Sequence, residues 1–292
     1  MAEFLQQIVN GVASGCVYAL LALGFVLVYK ATGVISFVHG DLMMLGAFVA
    51  YTAIMMAGVP FIVGILVVMI VLAVVGLVTN RLIVRPLIGR PIFATLLVTL
   101  GAGLVLRGIV MMVPAWGTEN YRLVTPLHGD IWRLGPLILN AEAGVAMVAA
   151  ALAILVFFVF FQYTRLGTAM RATAQNQIAA TYVGINVKTI YALTWALSAA
   201  IAGLAGVLLA PLLFINVGLG FLGLKALSAA IIGGLSSLPG AIMGGILVGV
   251  IEQLCGFYLP DGSKDIASSV MLLAVLFLRP TGLFARASVR SI

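Results

Sequence analysis

The stretch TRLGTAMRATAQNQIAATYVGINVK, Thr164 to Lys188, decides how the rest of the chain is read. Long apolar runs lie on both sides of it, and here that pattern breaks. The stretch carries Arg165, Arg171, Gln175, Asn176, Asn186 and Lys188, too many polar groups for a bilayer crossing. Its spacing is nevertheless helical. Leu166, Met170, Ala174 and Ile178 recur at one helical interval, while Thr164, Thr168, Arg171 and Gln175 fall on another face. Gly184 with Asn186 reads as a stop. An ordinary loop and a short amphipathic docking helix both fit this pattern.

The flanks settle the class. The chain has 292 residues, of which 64% are hydrophobic and 8% charged. A soluble domain carries about a quarter charged residues. At roughly 20 residues per helical span, there is room for eight or nine spans with short loops. The net charge of +7 falls largely in those loops, where it orients the chain rather than binding nucleic acid. Cys16 and Cys255 sit inside apolar runs with no metal-ligand spacing. The first apolar run has no preceding Lys or Arg and is too long for a signal peptide, so it reads as a retained span.

Working outward towards the N-terminus, a span over about 143–161 precedes the polar stretch. Before it, Pro114 to Glu142 is the longest polar connection, with mixed charges, Trp116 and Trp132, which suits the outer side. A span over about 92–113 contains Arg107. The loop with Arg81, Arg85 and Arg90 holds no acid and reads as cytoplasmic. A span over about 61–82 comes before that loop. The run 31–51 carries His39, Gly40 and Asp41 in its middle. Charge at that depth is costly, so the cluster should face protein or water. The first span covers about 8–29.

Working towards the C-terminus, 190–213 is rich in small residues, as a closely packed internal helix would be. Asn216 to Gly223 is a glycine-rich break. A short apolar helix over 224–232 carries Lys225, and Gly233, Gly234, Pro239 and Gly240 break the chain again. A span over 241–258 contains Glu252. A polar turn follows from Asp261 to Asp265, and the last span ends at Arg279, ahead of a basic tail with Arg286 and Arg290. That tail reads as cytoplasmic. If both interrupted segments cross fully, the count is nine and the N-terminus is outside. If one is re-entrant, the count is eight and the N-terminus is inside. The expectation is an all-α polytopic transmembrane bundle of about eight spans, with one re-entrant or broken element.

The two glycine-interrupted segments fall in the two halves of the chain. Broken helices expose backbone N–H and C=O groups, so such a pair points to a transport path. The candidate path residues are Phe37, His39, Gly40, Asp41, Gly218, Gly220, Lys225, Gly233 and Gly234. The same glycines also serve plain close packing, and Arg107, Lys225 and Glu252 also fit as neutralised partners. No catalytic dyad and no Cys/His metal cluster is spaced in the chain. No G-x-x-x-x-G-K-[ST] phosphate loop occurs in it. If ATP drives this protein, another chain hydrolyses it.

Several ordered blocks carry a resemblance that covers nearly the whole chain. These are NGVASGCVYALLALGFVLVYKATGVISFVHGDLMMLGAF from Asn10, RLGTAMRATAQNQIAATYVGINV from Arg165, KALSAAIIGGLSSLPGAIMGGILVG from Lys225 to Gly249, and FLRPTGLF near the end. The chain resembles the inner-membrane permease subunit of bacterial branched-chain amino acid ABC importers, the first of their two permeases. The family's aromatic-Ala-His-Gly step reads Phe37-Val38-His39-Gly40 here, with Val for the usual Ala and Ser36 where Asn is common.

The resemblance implies one permease domain over 1–292, in the bacterial inner membrane, with a cytoplasmic C-terminus. It implies a second permease, two cytoplasmic ATPases that hold ATP and magnesium, and a periplasmic solute-binding protein. No cofactor is expected in this chain. Residues 164–188 would then be the cytoplasmic coupling loop and 114–142 the longest external one. The matching coupling positions are Arg165, Gly167, Met170, Arg171, Ala172, Gln175, Asn176, Ala179, Gly184, Ile185 and Asn186. In that picture Arg165 and Arg171 meet the ATPase or lipid headgroups, and Leu166 and Met170 fill a groove in the ATPase. Two alternatives stand beside it. One is a permease of the same family for urea, a short amide or an aromatic acid. The other is an ion-coupled secondary transporter using His39, Asp41, Arg107, Lys225 and Glu252 as a relay.

Overall fold

The computed structural model describes residues 2–87, 90–116, 119–134, 137–260 and 262–284. Asp261, Arg286 and Arg290 lie outside the described residues. The elements in order are α1 (Ala2–Thr32), α2 (His39–Tyr51), α3 (Phe61–Thr79), α4 (Arg85–Leu87), α5 (Ile92–Met112), β1 (Ile131–Leu134) and β2 (Leu137–Asn140). They continue as α6 (Ala141–Tyr163), α7 (Arg165–Gln175), α8 (Gln177–Tyr182), α9 (Val187–Leu209), α10 (Leu222–Gly233), α11 (Leu238–Tyr258) and α12 (Ser263–Leu278). Wide π-turns extend α2 over Thr52–Met56 and α3 over Asn80–Val84. A 3₁₀ turn, Val217–Phe221, leads into α10.

Among the described residues, seven helices are long and apolar enough to cross a membrane. They sort into two groups. α1 and α9 are buried along most of their length, whereas α3, α5 and α6 leave most of their apolar side chains exposed. An isolated chain in water would not show such faces. They belong against lipid or other membrane subunits.

Small residues hold the centre together. Lipid tails are as apolar as leucine, so helices associate by close dispersion contact rather than by hydrophobic exclusion. On α1, a Cβ at Gly11 would lie 2.6 Å from the Val250 Cα, and one at Gly15 would lie 2.8 Å from the Ile246 Cα. α3 runs antiparallel to α9 in the same way, Gly76 against Trp195 and Ala199, and Leu72 against Gly203. Gly46 of α2 meets the Gly203 Cα, 2.5 Å from where its Cβ would be.

The bundle has two distinguishable ends. At one, the Ile138 N–H donates to Gln6 Oε1 at 2.8 Å, and Tyr121 and Ile215 exchange backbone bonds of 3.0 and 2.8 Å. There too the Trp116 indole donates to Thr52 Oγ1 at 2.6 Å. The connection 114–142 folds into the antiparallel β1–β2 hairpin at this end, with Trp132 opposite Leu139. At the other end, Lys30 lies over the Phe161 ring, 5.9 Å from its centroid. The Leu283 N–H donates to the Ile232 carbonyl at 2.8 Å there. The N-terminus therefore shares an end with the 114–142 connection and lies opposite α7 and α8. Of the two arrangements that the sequence left open, this is the one in which both interrupted segments carry the chain onward, rather than one of them turning back.

Candidate functional site

α1 ends at Gly33, whose φ of +70° turns the chain back. Residues 34–38 then climb along α1, so that His39 packs beside Gly24 and Phe25. Those residues lie about 12 Å back from the end of α1 at 1.5 Å per residue. α2 therefore starts inside the bundle and runs only outward, which makes it a half-helix.

His39 is fully buried. Its Nε2 is 2.5 Å from Ser198 Oγ, and that hydroxyl donates to the Gly24 carbonyl at 2.8 Å. A serine hydroxyl has one proton. With that proton on Gly24, Ser198 accepts from the His39 Nε2–H. Among the described residues, no hydrogen-bond partner reaches His39 Nδ1.

The second break meets the first. The 3₁₀ turn brings Gly220 and Gly223 against Gly40, and a Cβ on Gly40 would lie 2.9 Å from the Gly223 Cα and closer still to the Gly220 carbonyl oxygen. Only glycine fits both sides of this crossing. α10 then runs from it towards the end that holds α7. Two half-helices thus begin at one level and leave in opposite directions, and their positive dipole ends face the same region.

Asp41 and Arg107 sit there. Arg107 Nε donates to Asp41 Oδ1 at 2.5 Å, with 18% and 6% of the two side chains exposed. The guanidinium lies over the Phe221 ring, 4.1 Å from the centroid. A Cβ on Gly220 would fall 2.6 Å from Asp41 Oδ1. The pair ties α5 to α2 and to the start of α10. The Phe37 N–H adds a contact to Thr99 Oγ1 of α5 at 3.4 Å.

The path residues read from sequence therefore divide. Phe37, His39, Gly40, Asp41 and Gly220 converge at the crossing. Gly218 lies at the start of the 3₁₀ turn, against Asn216. Lys225 belongs to a separate network, donating to Glu252 and, at 2.9 Å, to Asp265, which joins α10 to α11 and α12. Gly233 and Gly234 lie at the far end of α10, against Gly240 and the final described residues. Arg107, Ser198 and Trp195 complete the site and were not among those path residues. The only sequence signal for Arg107 was a lone charge inside an apolar run.

The polar stretch folds as two helices, not one. Thr164 Oγ1 accepts from the Gly167 N–H at 3.0 Å to start α7, and Asn176 Oδ1 accepts from the Ala179 N–H at 3.0 Å to start α8. Gly184, with φ +86°, ends α8. Asn186 is not part of that stop. Its Oδ1 caps α9 through the Thr189 N–H at 3.3 Å.

The side chains also depart from expectation. Met170 is 1% exposed and packs inward with Gly167 and Thr173, so it is unavailable to fill a groove elsewhere. Arg171 is committed too. Its guanidinium donates to the Phe161 carbonyl at 2.9 Å, the Gln162 carbonyl at 2.9 Å and Gln162 Oε1 at 2.8 Å, clamping α7 to the end of α6. Arg165, Gln175, Asn176 and Ala179 remain exposed, with Ala172 and Ile185 half-buried. The outward apolar surface is made instead by Leu166, Ile178, Tyr182 and Val183, the last two 86% and 81% exposed.

Comparison with known proteins places this geometry. Residues 7–278 match the family model described as the permease component of branched-chain amino acid transport systems. The chain is similar to the high-affinity branched-chain amino acid transport system permease protein LivH of Salmonella typhimurium, 34% identical and covering 99% of this chain and 98% of that one. It is likewise similar to the BraD permease of the corresponding system in Pseudomonas aeruginosa, 33% identical with the same coverage. Among solved structures it resembles a chain of PsaBC from Streptococcus pneumoniae in complex with Fab. The TM-score is 0.51 at 16% identity, over 95% of this chain and 92% of that one, a likeness of fold.

Proposed function

The chain belongs to the family of permease components of branched-chain amino acid transport systems, and on that footing we propose that it is the membrane-spanning permease subunit of an ATP-driven ABC importer. With a second permease it forms the pathway for leucine, isoleucine, valine or a related amino acid. A periplasmic binding protein delivers the solute, and two cytoplasmic ATPases, which hold ATP and magnesium, drive the cycle. The chain lies in the bacterial inner membrane with α7, α8 and the C-terminus on the cytoplasmic side.

The observation that carries this reading is the match along nearly the full chain to permeases of that one transport class. The geometry supplies a mechanism. α7 is clamped to α6 by Arg171 and capped by Thr164, and α8 hands the chain to α9 through Gly184 and Asn186. A push on α7–α8 is therefore delivered to two spans at once. α9 carries Ser198 and Trp195 beside His39, so that push reaches the crossing of the two half-helices. Broken helices packed through glycine can shift there without breaking a backbone ladder.

The test is reconstitution of the four membrane and ATPase subunits in proteoliposomes with the binding protein. Uptake of L-leucine is expected only with ATP and with the loaded binding protein. Uptake by this chain alone, driven by a proton or sodium gradient, would overturn the reading.

A further inference from the structure

α3 and α5 stand on different supports. α3 is held to α9, with Gly76 against Trp195, whereas α5 is held to α2 through Arg107 and Asp41. Over their middle portions the two helices do not close on each other, and a groove of about 610 Å³ remains between them. Val74, Val78 and Leu82 line one wall and Val98 and Val105 the other, and all five are exposed. Gly101 lies between the last two, and a Cβ there would meet nothing within 4 Å. The groove is therefore open at that level rather than filled by side chains of this chain.

Its depth and its ends describe the occupant. From Val74 to Leu82 the wall runs about 12 Å at 1.5 Å per residue. That is close to one leaflet of a hydrocarbon core about 30 Å thick, whereas a partner helix crossing the whole core needs about twice the depth. α3 runs antiparallel to α9, so Leu82 lies towards the end that holds α7 and α8, and Val74 lies nearer the middle. At the Leu82 end the chain turns cationic. Arg81 adjoins Leu82, and Arg85 follows one turn later, at the close of the π-turn. Both are exposed, and among the described residues neither has a hydrogen-bond or ion-pair partner. No acidic residue lines the groove.

An apolar trough one leaflet deep, with two unpaired guanidinium groups at its mouth, matches a lipid with an acidic headgroup. The valine walls take an acyl chain, and guanidinium groups bind phosphate oxygens in pairs. Basic pockets between membrane helices collect anionic headgroups in the same way. We infer that the α3–α5 groove is a binding site for one anionic phospholipid of the leaflet nearest α7 and α8, with an acyl chain between Val78 and Gly101 and its phosphate on Arg81 and Arg85. A chain seated there fills the gap between the helix that carries Arg107 and the helix that abuts Trp195, and so braces both sides of the half-helix crossing. The site rests on the membrane class of the chain and stands apart from the choice of transported solute.

The experiment titrates the full-length protein in detergent with phosphatidylglycerol or phosphatidylcholine of identical acyl chains, and counts bound lipid by native mass spectrometry. One phosphatidylglycerol is expected to bind roughly thirtyfold more tightly than phosphatidylcholine, about fivefold for each arginine. Arg81→Gln with Arg85→Gln should bring phosphatidylglycerol down to the level of phosphatidylcholine and leave the latter unchanged. Gly101→Leu projects into the groove without meeting protein atoms, so its thermal unfolding should match wild type while retention of both lipids is lost. Equal retention of the two lipids by wild type would overturn the site, as would wild-type retention in Gly101→Leu. Displacement of phosphatidylglycerol by an equal concentration of glycerol phosphate would make it a site for free phosphate and overturn the lipid. Loss of a co-expressed second permease from Gly101→Leu, with lipid retention intact, would make the groove a subunit contact and overturn it too.

Discussion

At the scale of residues, the crossing of the half-helices depends on one ion pair. Asp41 and Arg107 are buried together, and α5 has few other polar ties to the bundle. Burying two charges is repaid only while both are present, and removing one leaves the other uncompensated. Arg107→Gln is therefore expected to lower stability by about 3–5 kcal/mol, as is usual for a broken buried pair. The Asp41→Asn, Arg107→Gln double variant should recover most of that loss. Thermal unfolding of the detergent-solubilised protein reads both. Equal losses in the single and double variants would show that the pair does not act as a unit. The sequence placed Asp41 and Arg107 inside apolar runs but gave no means of pairing them. They are 66 positions apart, and their meeting depends on the packing of Gly40 on Gly220 and Gly223.

At the scale of elements, the polar segment 164–188 shows where periodicity stops being informative. The repeat Leu166, Met170, Ala174, Ile178 correctly marks helical structure, but a repeat has no sense of which side faces home. Met170 turned inward, while Tyr182 and Val183, outside the repeat, turned outward. The break at Asn176 was readable in principle, because Asn followed three residues later by a free N–H is a capping pattern. The hairpin β1–β2 and the π-turns left no signal that separates them from plain loop and helix. The exposed pair sets the next prediction. Tyr182→Ser with Val183→Asp removes an outward apolar surface and touches no internal contact, so the fold should change by no more than about 0.5 kcal/mol. ATP hydrolysis stimulated by the loaded binding protein should nevertheless be lost in the reconstituted transporter. Full stimulation in this variant would remove α8 from the ATPase contact.

At the scale of the whole molecule, composition made the membrane class legible, because 8% charged residues cannot coat a soluble surface. Handedness across the membrane was not legible from charge. Glu3 is the only charged residue near the start, so the positive-inside rule has nothing to act on there. The contacts show which parts of the chain share an end of the bundle. Gln6 bonds to Ile138 of the hairpin, whereas Arg171 and Lys30 gather at the Phe161 end. The two termini of α1 therefore lie on opposite sides. With Cys16 and Cys255 replaced by Ala or Ser, a cysteine at Glu3 should react in intact spheroplasts with a membrane-impermeant maleimide. A cysteine at Tyr182 should react only after the membrane is opened. The same side for both would force one interrupted segment to turn back instead of crossing. The Gly40 crossing could then not stand as described, because α2 and α10 leave it towards opposite ends of the bundle only if both carry the chain across.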